Sequence, residues 1–258
     1  MENLVTSNGA FFYVIITCYK YPRRLACALC SFLLQKYSQY KVWIITPNQK
    51  QDIMQWIPKE VWSSNKFTFI KVSNKLWNNK GAMNNIGLDC AEKDARKKGL
   101  LPFVMFTDAD MVWPGYFLFR VNELWATDKF GLSEKTFASC WRYTLSEQTS
   151  KALIDSCKDV GSLFESKKYV RHLRVERHLT FRGYCQIYRM DLKPPPRYPY
   201  DRIGYFSDWD PFAKSFEQNS FCMFNLSDMD QEMVGYHLWH PIFGEHNNWA
   251  GIEEDVVL

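Results

Sequence analysis

No stretch of this 258-residue chain is apolar for long enough to cross a membrane, which takes roughly 20 residues in a helix. The apolar run from Phe11 to Cys18 falls well short, and Glu2 stands before it where a secretory signal would carry positive charge. A charge excess is missing too. A net charge of +4 is too mild to argue for nucleic acid, although it suits a small anionic substrate. The eight cysteines lack a metal-binding pattern: Cys27 and Cys30 form a C-x-x-C, but no second such pair follows, which excludes a structural zinc site as the expectation. Inside a helical pattern, those two read as buried free thiols. With no secretory signal, reduced cysteines and a cytoplasmic location are expected, and the sequon Asn225-Leu226-Ser227 reads as accidental. Internal repeats, low-complexity tracts and a clear linker are absent as well, so a single domain over 1–258 is expected.

What the chain does have is apolar and aromatic mass. Hydrophobic residues make up 47% and aromatics 17%, with 10 Trp, 14 Tyr and 19 Phe, enough for a sizeable core. The first half alternates strand and helix. FFYVIITC (11–18) is a buried strand by its unbroken apolar, β-branched character. Pro22 suits a first helical position, and Leu25, Leu29 and Phe32 lie on one helical stripe. KVWIIT (41–46) and KFTFIKV (66–72) are the second and third strands. A helix follows from about Gly81 to Lys98, then a fourth strand, PFVMFT (102–107), with Pro114 opening the next helix. This alternation predicts an α/β fold with a doubly wound, mostly parallel sheet. The second half is less regular. FASCWRY (137–143) and RGYCQIYRM (182–190) read as strands, Phe206 to Phe216 as a short helix, and LKPPPRYPYD (192–201) as a stiff surface loop.

The chemistry gathers in three places. Asp108 and Asp110 stand at the carboxyl end of the fourth strand, where ligands of open α/β sheets bind. Carboxylates there are costly unless something cationic meets them. Residues i and i+2 of a strand lie about 6.6 Å apart on one face, so both reach one ion only if the chain curls as the strand ends. Such oxygen ligands suit Mg²⁺ or Mn²⁺, although Asp-x-Asp also arises in loops and helix caps. In GYFSDWDPFAKSF (204–216), Asp208 and Asp210 stand beside aromatics at a helix start, either as caps or as a carboxylate base. In GYHLWHP (235–241), His237 and His240 share a face only on a helix; in an extended chain, which Pro241 favours, they point opposite ways.

Taken in order, these segments resemble the GT-A glycosyltransferases, in particular the family 2-like group, over about residues 11 to 246. FFYVIITCYKYPRRLACALCSFLLQKYSQYKVWII is similar to that group's opening strand, helix and second strand, NKGAMNNIGLDCA (79–91) to the segment leading into its metal-motif strand, and FTDADMVWPGYF carries the Asp-x-Asp. RGYCQIYRMDL followed by GYFSDWDPFAKSF is similar to the acceptor side, and HLWHP to the segment with the C-terminal histidine. The resemblance implies a nucleotide-sugar-binding half over about 1–130 and an acceptor-binding half over about 131–258. It implies Mn²⁺ or Mg²⁺ held by Asp110, with Asp108 on the ribose or the metal shell, His240 as the C-terminal ligand and His237 as its alternative. Lys80 joins Asp108 and Asp110 among the donor-binding residues, and Asp208 matches the base of inverting members, with Asp210 behind it. The implied activity is transfer of a sugar from a nucleotide-diphosphate sugar, a UDP-sugar foremost, to a glycan or glycoconjugate hydroxyl. A retaining transferase, or a catalytically silent nucleotide- or sugar-binding module, is the alternative. Arg171, Arg174, Arg177 and Arg182 are candidates for a loop over the diphosphate, or for a solvated basic face, and Tyr205 and Trp209 for stacking on an acceptor sugar or for core. Where the group often has an acid after the second strand this chain reads ITPNQK (45–50), and Ser207-Asp208 stands where Glu-Asp is common.

Overall fold

The computed structural model describes residues 9–19, 21–47, 53–76, 79–98, 101–126, 135–157, 160–161, 174–176, 184–190, 196–198 and 209–238, with backbone alone at 97–98, 126, 174–176 and 209–211. In chain order the strands are β1 Ala10–Thr17, β2 Tyr40–Thr46, β3 Phe67–Lys71, β4 Leu101–Asp108, β5 Met111–Val112, β6 Thr136–Ser139, β7 Trp141–Thr144, β8 Arg174–Glu176, β9 Cys185–Arg189, β10 Cys222–Asn225 and β11 Val234–His237. The helices are α1 Pro22–Leu33, α2 Lys59–Ser63, α3 Lys80–Lys98, α4 Phe117–Ala126, α5 Glu147–Asp155, α6 Trp209–Gln218 and α7 Leu226–Met229.

Seven strands form one sheet in the order β10-β6-β9-β4-β1-β2-β3. The run β4-β1-β2-β3 is parallel, and β9 enters antiparallel between β4 and β6. All eight residues of β1 are buried, because helices cover both sides of the sheet. Phe12, Val14 and Ile16 pack with Leu25, Leu29 and Phe32 of α1 and with Phe117 and Val121 of α4. Phe11, Tyr13 and Ile15 face the other way, toward Met83, Leu88 and Ala91 of α3 and Phe212 and Phe216 of α6. The period of two in β1 thus assigns alternate residues to two cores. Helix α3 comes so near β1 that a Cβ on Gly87 would lie 2.6 Å from Ile15 Cγ2. Pro22 takes the first turn of α1, where its missing N–H costs nothing. Cys27 and Cys30 are buried thiols in no disulfide, and Cys27 Sγ donates to the Leu153 carbonyl at 3.2 Å. Among the described residues no helix is long and apolar enough to cross a membrane.

A second sheet, β5-β11-β7-β8, has no counterpart in the sequence expectation. It arises because the segment 137–143 is not one strand. The chain breaks at Cys140, whose carbonyl accepts from Tyr184 Oη at 2.8 Å, while Trp141 N donates to Ser227 Oγ at 2.8 Å. The part before the break stays in the main sheet, and the part after it joins the small one. The proline-rich loop is also more than a surface feature. Tyr198 is buried, exchanges two 2.9 Å bonds with the Asn85 amide, and stacks on Phe212 at 3.9 Å. That anchors the chain on α3 and α6 shortly before the acidic segment.

Candidate active site

Strand β1 has β2 on one side and β4 on the other, so the strand order reverses at the β1–β4 boundary. Their parallel register sets Thr17 beside Asp108 at the carboxyl ends. Such a switch point is where ligands of doubly wound sheets bind. Beyond Asp108 the chain turns at Ala109 and Asp110 and enters β5. Trp113 closes the turn by donating from Nε1 to Thr107 Oγ1 at 3.1 Å, with its backbone N–H on Ser31 Oγ at 3.1 Å.

The two acids meet two different partners. The Asp108 carboxylate accepts from Lys80 Nζ, at the start of α3, where Asn79 Oδ1 caps the helix by accepting from Ala82 N at 2.8 Å. Asp110 Oδ2 lies 3.3 Å from His237 Nε2, and this contact is set by backbone pairing. Strand β11 runs antiparallel to β5 with His237 opposite Met111, and Leu238 N donates to the Asp110 carbonyl at 2.9 Å. Gly235 keeps β11 close: a Cβ there would lie 2.9 Å from the Trp113 ring and 2.4 Å from Met111 Cε. Side-chain exposures of 12% for His237 and 21% for Asp110 leave both half-sheltered and still open to solvent on one side.

A carboxylate and an imidazole at this separation offer hard oxygen and borderline nitrogen, a donor set that fits Mn²⁺. Among the described residues no third His, Cys, Asp or Glu converges with them on one point, since Asp108 is turned to Lys80. An ion on these two groups would have positions left for water, phosphate oxygens or a further ligand. His240 and Asp208 lie outside the described residues, as do Tyr205 and the side chains of Trp209 and Asp210. Of the four candidate arginines only the backbone of Arg174 is described, in β8.

Sequence reasoning passed over two polar groups. Thr17 Oγ1 and Asn84 Nδ2 are buried with no hydrogen-bond partner among the described residues. Thr17 is the register neighbour of Asp108, and Asn84 lies one helical turn along α3 from Lys80. Buried polar atoms without partners are rare and call for one. Asn84 had a visible signal, in that Lys80 and Asn84 share the i, i+4 spacing. Thr17 had none, because it reads as one more residue of the apolar strand 11–18.

No family model matches the sequence, and no curated protein matches it either. Solved structures do. A mannosyltransferase from Pyrobaculum calidifontis, PcManGT, in complex with GDP-Man and Mn²⁺, is similar with a TM-score of 0.55 and 16% identity, over 88% of this chain and 56% of that one. S. aureus TarS 1–349 is similar with a TM-score of 0.59 and 14% identity, over 88% of this chain and 60% of that one. The same protein in complex with UDP gives a TM-score of 0.59 and 14% identity over 90% and 61%. The chain thus spans roughly three fifths of the length of these structures. Likeness at this level of identity establishes architecture, and the architecture is the GT-A fold.

Proposed function

We propose that the chain is a metal-dependent glycosyltransferase that moves a sugar from a nucleotide-diphosphate sugar, a UDP-sugar foremost, to a hydroxyl of a glycan or glycoconjugate. The observation that carries this reading is the meeting of Asp110 and His237 at the switch point of a GT-A sheet. Neighbours of the same fold hold GDP-Man with Mn²⁺ and UDP, which supports a nucleotide-sugar donor here.

Asp110 and His237 would hold the ion, joined by His240, with Asp108 on the ribose or the ion's water shell. A divalent ion in that place supplies positive charge against the departing nucleoside diphosphate. Lys80 adds a second positive charge at the same strand end, ready for a donor phosphate as well as for Asp108. The Thr17 hydroxyl and the Asn84 amide give the nucleotide two further hydrogen-bonding groups. Asp208 is the base: it takes the proton of the acceptor hydroxyl as that oxygen bonds to the anomeric carbon and the bond to the diphosphate breaks. One displacement of this kind inverts the anomeric centre.

Incubation with UDP-, GDP- and dTDP-sugars and Mn²⁺ tests the reading. The expected outcome is release of nucleoside diphosphate from one donor class, stopped by a chelator, and an inverted anomer in the product by NMR. Retention of configuration rejects Asp208 as the base. Binding of a donor without turnover on any acceptor offered favours the silent module, and no binding by folded protein rejects the reading altogether.

A further inference from the structure

The ladder that brings His237 to Asp110 is only two residue pairs long, Tyr236 with Val112 and His237 with Met111. So short a ladder needs support from elsewhere to keep its register. On its other side β11 pairs with β7 over four residues, Val234 to His237, and a second support lies at the far end of β11. Arg120 of α4 donates from Nη1 to Asp230 Oδ2 and from Nη2 to Glu232 Oε2, the latter at 2.9 Å, and its guanidinium lies 4.5 Å from the centre of the Tyr116 ring. Asp230 uses its other oxygen to organise the turn into β11: Oδ1 accepts from Glu232 N at 3.0 Å, and the Asp230 carbonyl accepts from Met233 N at 2.8 Å. One carboxylate therefore joins the turn that launches β11 to the helix that follows β5. Asp110 and His237 sit at the other end of the same two segments, about 10 Å along the strand from Val234, where β11 begins.

From this geometry we infer that Arg120 is a positioning residue, clasping Asp230 and Glu232 to hold β11 in the register that sets His237 against Asp110. The inference rests on the proposed metal site for its functional meaning, but the clasp itself is a property of the metal-free chain. Arg120 touches neither the site nor any group proposed to react. An ion pair on an open surface contributes little, and three features set this one apart. Both guanidinium arms are engaged, an aromatic ring covers one face, and one acceptor is itself part of the turn. The Leu238 amide, which donates to the Asp110 carbonyl at 2.9 Å, is a local reporter of whether the register holds.

The test compares Arg120→Ala, Arg120→Lys and Asp230→Asn with Lys151→Ala, which breaks an exposed pair with Glu147 on α5. Two quantities are read: hydrogen exchange at the Leu238 amide without metal, and Mn²⁺ affinity by electron paramagnetic resonance. Arg120→Ala is expected to speed Leu238 exchange about tenfold through local opening. It is expected to weaken Mn²⁺ binding by about tenfold, as loss of an outer support does at metal sites. Arg120→Lys recovers part of both losses, and Lys151→Ala changes neither. Asp230→Asn keeps the acceptor oxygen of the turn but removes the charge, so it gives the same reading if Arg120→Ala does not fold. Leu238 exchange that matches the wild type in both Arg120→Ala and Asp230→Asn overturns the inference, as does an equal effect of Lys151→Ala or no recovery with Arg120→Lys. A wild-type protein that binds no Mn²⁺ overturns the proposed function instead, while the exchange data still judge the clasp.

Discussion

Two aspartates separated by one alanine end in different company, and this divides their roles. Asp108 is balanced by Lys80, whereas Asp110 faces His237. Asp110→Ala is expected to lower donor turnover by about a hundredfold or more, because it removes the proposed ligand of an ion that would act as charge develops on the leaving group. Circular dichroism and thermal melting should show the variant folded. Lys80→Met should leave Mn²⁺ affinity in the absence of nucleotide near the wild-type value while weakening nucleotide binding by about tenfold, the worth of one charge-assisted contact. Equal loss of both affinities would contradict separate roles. Asp108, Asp110 and His237 were legible as candidates from residue type and spacing, with His240 preferred to His237. The choice of partner was not, since His237 meets Asp110 only through the register of β5 with β11. Thr17 was hidden for a related reason: its hydroxyl matters only because of the strand laid beside it.

At the scale of elements, periodicity located the first four strands and the long helix closely, because each is buried in one of two cores with a regular repeat. The break at Cys140 left no trace in composition, since both halves of FASCWRY suit a strand. Tyr184 and Ser227, distant in sequence, decide it through their hydrogen bonds. Two glycines separate stability from function. Gly87→Ala places a methyl group 2.6 Å from Ile15 Cγ2 and should cost about 1–3 kcal/mol of stability by overpacking, read from urea unfolding. Its Mn²⁺ affinity should be unchanged. Gly235→Ala drives β11 off Trp113 and should weaken Mn²⁺ binding by at least about tenfold, since the ladder holding His237 must shift. If Gly235→Ala binds Mn²⁺ as the wild type does, the ladder is not what positions His237.

For the molecule as a whole, alternating strand and helix in the first half fixed the class of fold, while the second half could not be ordered from its sequence. Strands β6, β9 and β10 complete the main sheet from beyond residue 130, and β7, β8 and β11 build the small sheet against β5. Those pairings are long-range and mixed in direction, and no local pattern encodes them. Their consequence is that Asp110 and His237 meet although 127 residues separate them in the sequence. Calorimetric titration of UDP in the presence and absence of Mn²⁺, on the wild type and on Asp110→Ala, probes that site most directly. Binding that requires Mn²⁺ in the wild type and disappears in a folded Asp110→Ala is the expected result. UDP affinity that is the same with and without Mn²⁺, and the same in both proteins, would contradict a metal–nucleotide site at Asp110 and His237.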